Sequence, residues 1–168
     1  MDFFRLTPAF LPTRTMATGP KLSLTGRALR LLSSREHSRA ELQRKLAPFE
    51  EAPGELAAVL DKLAAKDLQS EQRAVDSLVH RRSAKLGSAR IRQEMHAKGM
   101  EPEAMAQALD QLRASEQERA FEVWRKKFGQ AASTPAERAK QVRFLASRGF
   151  GGEAIARLVS GAFECDED

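Results

Sequence analysis

The sequence predicts an all-α protein in which three tandem three-helix repeats, each a helix-turn-helix-like unit, stack into an elongated array. From Leu24 onward the apolar residues recur at helical spacing, and no segment shows the alternation that a strand needs. Short motifs also return at a fixed period. The pair Arg-Ala occurs at 27–28, 73–74 and 119–120, each 46 residues after the last. One unit of this size is too small to bury both sides of its helices, so neighbouring units should stack.

The first repeat is expected over residues 24–69. Its first helix carries the pattern Arg27, Ala28, Leu31 and Leu32. The second helix begins after Ser38, because Ser38-Arg39-Ala40-Glu41 has the S-x-x-E form in which hydroxyl and carboxylate satisfy backbone N–H groups. Pro53 is expected at the first position of a third helix, whose apolar face holds Leu56, Val59, Leu60 and Leu63.

The second repeat is expected over residues 70–114. Ser70 opens its first helix, Ser88 opens a second that ends at Gly99, and Pro102 opens a third. The core-facing residues of these helices are Ala74, Val75, Leu78, Val79, Ile91, Met95, Met105, Leu109 and Leu112.

The third repeat is expected over residues 115–163. Ser115 is predicted to cap its first helix, and Thr134 caps a second that ends at Gly149. The apolar residues of the three helices are Phe121, Trp124, Phe128, Val142, Leu145, Ile155, Leu158 and Val159. Residues 1–23 are predicted to be a disordered extension without a signal peptide, and residues 164–168 form an acidic tail.

Charge and composition restrict the function classes. The chain has 28 Lys and Arg against 23 Asp and Glu, a formal charge of +5, and its last five residues hold four acids. Without those five the charge is +9, so the body favours a polyanion or an acidic protein surface. No run of 18 apolar residues exists, which predicts no membrane partner. With a single cysteine, Cys165, we expect neither a disulfide nor a cysteine-ligated zinc site, and we expect a cytoplasmic monomer.

The motifs of enzymes are missing. The chain has no P-loop, no G-x-S-x-G and no H-E-x-x-H. The histidines His37, His80 and His96 lie apart and are expected at the surface or partly buried. Glu41 and Glu94 are better explained as capping or exposed-face residues than as an acid/base pair. The sequence therefore predicts a protein that is not an enzyme, with no catalytic residues, no metal and no cofactor.

Basic residues gather in the second and third repeats. On a single helix such residues mostly cover a solvated face, but clusters in consecutive units can align into one stripe facing phosphates or an acidic partner. The predicted stripe consists of Arg81, Arg82, Lys85, Arg90, Arg92, Lys98, Arg125, Lys126, Lys127, Arg138, Lys140, Arg143 and Arg148. The candidates in the first repeat are Arg35, Arg39, Arg44 and Lys45.

Three ordered motifs resemble the RecX family, the regulators of bacterial RecA recombinase. The opening motif lies at 27–32, 35–38 and 41–46, the central motif at 87–95 with Lys98-Gly99, and the third at 143–150. The match runs from about residue 24 to 163. The resemblance implies three tandem three-helix repeats in a curved array. It also implies a non-enzymatic protein that binds RecA and its filament on single-stranded DNA, limiting filament growth and activity. One departure is Ala47-Pro48, where the later units place Lys-Gly or Arg-Gly.

Two alternatives remain open at this point. An autonomous DNA-binding repeat protein would bind single- and double-stranded DNA, mainly without sequence preference, and would need no RecA. A protein-interaction scaffold would show no salt-dependent DNA binding. The acidic tail is either a solvated end or an internal competitor that weakens non-specific DNA binding.

Overall fold

The chain folds into helices connected by short turns, and the computed structural model describes residues 22–160. The predicted disorder at residues 1–23 falls almost wholly outside this range, and the acidic tail at 164–168 falls entirely outside it. Within 22–160 there are nine α-helices and no strand: α1 (Leu24–Ser34), α2 (Arg39–Leu46), α3 (Glu55–Ala65), α4 (Glu71–Arg82), α5 (Ser88–Ala97), α6 (Pro102–Ala114), α7 (Glu116–Lys127), α8 (Pro135–Ser147) and α9 (Gly152–Val159). The all-α fold of three tandem three-helix units is confirmed.

Each unit buries its own apolar core. The first unit (α1–α3) packs around Leu24, Ala28, Leu42, Leu46, Leu56, Leu60 and Leu63. The second unit (α4–α6) packs around Ala74, Val75, Leu78, Ile91, Met95, Met100, Met105, Ala108 and Leu112. The third unit (α7–α9) packs around Ala120, Val123, Trp124, Leu145, Phe150, Ala154, Ile155, Leu158 and Val159. The helical spacing in the sequence therefore places most of the core correctly, but Val142 of α8 is 37% exposed and lies outside the third core.

The helix starts show which local rules decided the boundaries. Both predicted capping boxes form: Glu41 N–H donates to the Ser38 hydroxyl over 3.1 Å, and Glu137 N–H donates to the Thr134 hydroxyl over 3.2 Å. Ser70 also caps α4, accepting from the amide of Arg73. These starts were predictable because the capping partner lies three residues away in the chain.

One predicted start is wrong, and one predicted side-chain cap does not form. Pro53 lies before α3 rather than at its first position, because Gly54 takes a left-handed φ of +85° as the cap and Glu50 accepts hydrogen bonds from the amides of Gly54 and Leu56. Ser115 does not cap α7 with its side chain. Ser115 is the N-cap of α7, as predicted, but it is also the C-cap of α6, and its hydroxyl donates to the carbonyl of Gln111 instead.

The second helices of successive units meet end to end. At the first junction the Ser38 hydroxyl, at the start of α2, donates to the carbonyl of Lys98 at the end of α5 over 2.7 Å. At the second junction the amides of Gly87 and Ala89, at the start of α5, donate to the carbonyls of Arg148 and Gly149 at the end of α8, over 3.0 and 3.2 Å. Thus α8, α5 and α2 follow one another in a row, with each C-terminal end against the next N-terminal end.

Glycine is required where these helix ends touch. Gly149 has a φ of +81°, and a Cβ there would lie 2.6 Å from the backbone nitrogen of Arg90. Gly99 has a φ of +66°, and its Cβ would lie 2.7 Å from the Cβ of Ala40. Both glycines end helices, as predicted, and both also allow the close approach of the neighbouring unit.

Glutamates at the start of α4 and α7 complete the junctions. Glu71 accepts a hydrogen bond from the amide of Arg39, the first residue of α2. Glu116 accepts from both the amide and the hydroxyl of Ser88, the first residue of α5, at 2.8 Å each. A carboxylate from the next unit therefore satisfies the free N–H groups at a helix start, where the helix dipole also favours negative charge.

The arginine of each repeated Arg-Ala pair bonds to the carbonyl that precedes its own helix. Arg27 donates to Leu22 over 3.0 Å, Arg73 to Asp67 over 2.8 Å, and Arg119 to Leu112 over 2.6 Å. Arg119 also reaches back into the second unit, donating to the carbonyl of Leu86 over 2.7 Å and to that of Ser83 over 3.3 Å. The repeated Arg-Ala pair of the sequence therefore corresponds to an arginine–carbonyl hydrogen bond that recurs in all three units.

Within residues 22–160 the first unit stands at one end of the row, and the corresponding arginine behaves differently there. After α2 the chain forms a 3-10 turn over Ala47–Phe49, where the later units have Lys-Gly or Arg-Gly. The guanidinium of Arg27 lies 3.9 Å from the centroid of the Phe49 ring, which is 44% exposed. This end of the row lacks the features that join the other units.

Candidate functional site

The predicted basic residues divide into those that hold the fold together and those that face solvent. Arg35 and Lys98 are of the first kind, because their charged groups lie 2.7 and 2.8 Å from Oε1 of Glu41. Glu41 itself is buried, at 5% exposure. Burial acts to raise the pKa of Glu41, but the hydrogen bonds from Arg35 and Lys98, with that of the Ser38 amide, outweigh it and lower the pKa to about 2. Arg35 and Lys98 are thus placed in a junction, and Glu41 is neither an exposed-face residue nor only a cap.

The other first-unit candidates also have partners within the fold. Arg39 pairs with Asp61 at 2.6 Å, and Arg44 donates to the carbonyl of Ala97 at 3.3 Å. Lys45 Nζ lies 3.2 Å from Nε2 of His37. The cations predicted for the first unit therefore serve mainly to join α2 to its surroundings.

His37 is more deeply buried than predicted, at 1% exposure, whereas His80 and His96 are exposed as expected. Its Nδ1 atom lies 2.9 Å from the carbonyl of Arg35. Burial lowers the pKa of His37; the bond to the Arg35 carbonyl opposes this, and the charges of Arg35 and Lys45 add to it. The ring is therefore the neutral form, with Nδ1–H donating to Arg35 and Nε2 accepting from Lys45.

Some second- and third-unit cations are paired at the surface. Arg82 makes a two-oxygen contact with Glu94, at 2.9 Å for the shortest pairing, and so joins α4 to α5. This carboxylate raises the pKa of Arg82, first through the hydrogen bond and then through its charge. Arg125 pairs with Glu122 at 2.8 Å, and Lys126 lies 3.8 Å from the same carboxylate. Exposed pairs of this kind leave most of the positive charge available to a partner.

Eight of the remaining predicted cations are exposed and make no ion pair with any residue in 22–160, whereas Arg148 is half-buried. Arg90 has only the amide oxygen of Gln93 at 3.4 Å. Two of them occupy the same position in successive second helices, since Arg90 and Lys140 each lie nine residues before the glycine that ends the helix. The exposed, unpaired set is Arg81, Lys85, Arg90, Arg92, Lys127, Arg138, Lys140 and Arg143.

Four basic residues meet in one groove between the second and third units, which we call the junction groove. It has a volume of about 270 Å³ and is lined by Ala84, Lys85, Val123, Lys126, Lys127, Phe144 and Arg148. No acid lines it. The guanidinium of Arg148 lies 3.6 Å from the centroid of the Phe144 ring, which fixes the position of its charge. An apolar floor with four cations around it suits an anionic group carried on a chain.

All four cations of this groove were predicted as basic surface residues, but their meeting in one groove was not predicted. The structural hydrogen bonds of Arg73 and Arg119 were not predicted either, although the repeated Arg-Ala pair is visible in the sequence. The apolar floor of Val123 and Phe144 carried no signal beyond helical spacing. In the part of the chain that the structure describes, no group of acids, histidines and cysteines is arranged to hold a metal ion, and none of the helices there has the length and apolarity to span a membrane.

Three family models match the chain, one for each unit. They are described as the first, second and third three-helix domains of RecX and cover residues 26–63, 70–109 and 114–159. A Regulatory protein RecX from Leptothrix cholodnii is 53% identical over 140 residues, covering 83% of this chain and 89% of that protein. One from Ralstonia nicotianae is 47% identical over 141 residues, covering 84% and 89%.

Solved structures agree in fold. The crystal structure of RecX from Lactobacillus salivarius superposes with a TM-score of 0.62 at 19% sequence identity, covering 82% of this chain and 93% of that one. With three domain models in order and curated relatives at about half identity over most of the chain, this protein belongs to the RecX family of regulatory proteins.

Proposed function

We propose that this protein binds RecA and RecA filaments on single-stranded DNA, and that it restrains filament growth, ATP hydrolysis and recombination. The relatives carry the name of regulatory proteins. The observation that supports a filament-facing surface is the distribution of charge: the first-unit candidates have partners in the fold, whereas eight exposed cations of the second and third units have no ion-pair partner in 22–160. A row of units carrying such charges suits an extended, polyanionic partner.

This role is regulatory rather than catalytic. The protein would act as a monomer in the cytoplasm, on a filament that it contacts through several of its units. The exposed stripe and the junction groove are the surfaces we assign to RecA or DNA, with Lys98 and Arg35 left to the internal junction.

The test is RecA-dependent ATP hydrolysis on single-stranded DNA, with this protein added well below one molecule per RecA protomer. Strong inhibition is expected, because a protein that caps or breaks filaments acts on many protomers at once. Inhibition only at amounts comparable to the DNA lattice sites would show simple competition for DNA and would contradict the proposal.

A triple variant then assigns the surface. Arg90→Gln, Arg92→Gln and Arg143→Gln together should weaken inhibition, because all three are exposed and unpaired. The matched control is Arg30→Gln, Lys62→Gln and Lys66→Gln, which removes the same charge from exposed positions of the first unit. Lys98 is left unchanged because its ammonium pairs with Glu41. Equal loss in both triples would mean that net charge alone matters and would contradict the assigned surface.

A second candidate, autonomous DNA binding, is favoured by the junction groove, whose four cations require no RecA to meet a phosphate chain. Binding of a single-stranded oligonucleotide by the protein alone, measured against salt, tests it. If the three exposed arginines contact phosphates, the triple variant lowers the slope of log K against log salt by about 2, from roughly 0.7 per phosphate contact. Tight, salt-dependent binding of this kind without any effect on RecA would favour this candidate.

A further inference from the structure

We propose that the acidic segment of this chain, residues 164–168, binds in the junction groove and competes there with the external polyanion. Docking of the segment is a property of this chain alone. Only the competition rests on the proposed function, because it requires that the groove also contact DNA or the filament.

The groove concentrates charge that its own walls do not balance. Lys85 and Lys127 have no ion pair in 22–160, and Lys126 has only the distant Glu122, 3.8 Å away. Arg148 is held on the Phe144 ring, 3.6 Å from its centroid, rather than by an acid. Like charges gathered in one groove repel one another, so an anion placed between them lowers the energy of the folded protein.

The segment has the complementary charge. Glu164, Asp166, Glu167 and Asp168 are four acids in five residues, with no base among them. The groove offers four cations and no acid. Carboxylates that meet lysine and arginine make charge-assisted hydrogen bonds, which are the stronger kind.

The segment is also attached close enough to reach the groove. The described chain ends at Ser160, just after α9, and α9 packs against both α7 and α8. Those two helices carry Val123, Lys126, Lys127 and Phe144 of the groove. The eight residues from 161 to 168 span at most about 26 Å, whereas α7 is only about 18 Å long. A tether of this length gives an effective concentration near the millimolar range.

The chain provides its own distance probe for the docking. Trp124 is the only tryptophan and adjoins Val123 of the groove, while Cys165 is the only cysteine and lies within the acidic segment. An acceptor dye on Cys165 should show energy transfer from Trp124 at low salt. Transfer should fall as salt rises, since the screening length shrinks from about 30 Å at 0.01 M to about 3 Å at 1 M.

Groove variants separate docking from general attraction. In Lys126→Gln with Lys127→Gln the transfer at low salt should fall to its high-salt level. The control, Arg138→Gln with Arg143→Gln, removes two exposed charges of the same unit outside the groove and should keep the transfer. Transfer that is the same in all three proteins, or that does not respond to salt, would overturn the docking.

Deletion of residues 164–168 tests the competition. Binding of a single-stranded oligonucleotide at low salt should tighten about tenfold, which corresponds to a groove filled in about 90% of molecules. In the Lys126→Gln, Lys127→Gln background the same deletion should change binding little. Equal tightening in both backgrounds, or none in either, would refute the competition. If the protein binds no DNA and leaves RecA unaffected while the transfer still depends on the groove, the docking stands and the proposed function fails.

Discussion

Arg119 should be the residue on which the junction of the second and third units most depends. Its guanidinium is half-buried and donates to the carbonyls of Leu86 at 2.7 Å and Leu112 at 2.6 Å, with a longer contact to Ser83. Burial lowers the pKa of Arg119, and the charge of Glu116 partly opposes this. In Arg119→Met the apolar stem is kept, but the buried carbonyls lose their donor.

The expected cost follows from those two short bonds. A hydrogen bond to a charged group contributes about 1.5–3 kcal/mol, so losing two costs about 3 kcal/mol or somewhat more. For a chain of this size that corresponds to a fall in Tm of roughly 6–12 °C. The control Arg113→Met removes an exposed pair with Asp110 and should cost below about 0.5 kcal/mol.

Chemical denaturation provides the measurement, with two signals followed in parallel. Far-ultraviolet circular dichroism reports all the units, whereas Trp124 fluorescence reports the third unit alone. In Arg119→Met the Trp124 transition should move to lower denaturant and separate from the overall transition, because the third unit loses its neighbour. A loss below about 1 kcal/mol with coincident transitions would refute the role assigned to Arg119.

Three further changes test other junction contacts. Gly149→Ala should destabilise the protein by clearly more than Gly54→Ala. Both glycines have a positive φ, which costs an alanine about 1 kcal/mol, but only at Gly149 does a neighbouring backbone lie 2.6 Å from the added Cβ. Equal losses of unfolding free energy in denaturant melts would contradict the close approach. The pKa of Glu41 is lowered to about 2, so its contribution to the unfolding free energy is full above its ordinary pKa near 4.5 and is lost as pH falls towards 2. The contribution is roughly 3 kcal/mol in all. In Glu41→Gln this part of the pH dependence of the unfolding free energy should vanish. The pKa of His37 is lowered in the folded protein, so its contribution to the unfolding free energy is full above pH 6.5 and declines as pH falls through the pKa of the folded state. Unfolding free energies measured from pH 8 to 5 should therefore fall less steeply in His37→Gln. An unchanged slope would mean that the ring is not held neutral.

Helical periodicity was enough to predict the fold. Most residues at helical spacing form or pack against the three cores, with Val142 exposed instead. Caps whose partner is three residues away, such as Ser38 and Thr134, form as predicted. The failures lie where a contact other than the expected cap decides. Pro53 does not begin α3, because Gly54 forms the cap and the Glu50 side chain accepts from its amide. Ser115 does precede α7, but its hydroxyl bonds to the helix before it.

The site was predictable only as a list of basic residues. Whether a lysine faces solvent or a buried carboxylate depends on residues far away in the chain: Lys98 meets Glu41, 57 positions earlier. Lys85 and Arg148 meet in one groove although they lie 63 positions apart, because α8 ends against the start of α5. Neither contact can be predicted from the spacing of residues within one helix.

The end-to-end contact of α8, α5 and α2 explains how strongly the sequence of such a row can diverge. At the α8–α5 junction the carbonyls at the end of one helix and the amides at the start of the next are supplied by any sequence, so these contacts ask little of the side chains beyond a glycine for clearance. The α5–α2 junction adds one small polar side chain, the Ser38 hydroxyl. A structure at 19% identity can accordingly keep the arrangement of this chain. At the α2 end of the row the chain forms the Ala47–Phe49 turn, whereas α5 and α8 end in Lys-Gly and Arg-Gly. Lengthening the row at this end would therefore begin with a change in that short turn, which would have to supply a glycine that clears the start of another helix, rather than with a change in any core.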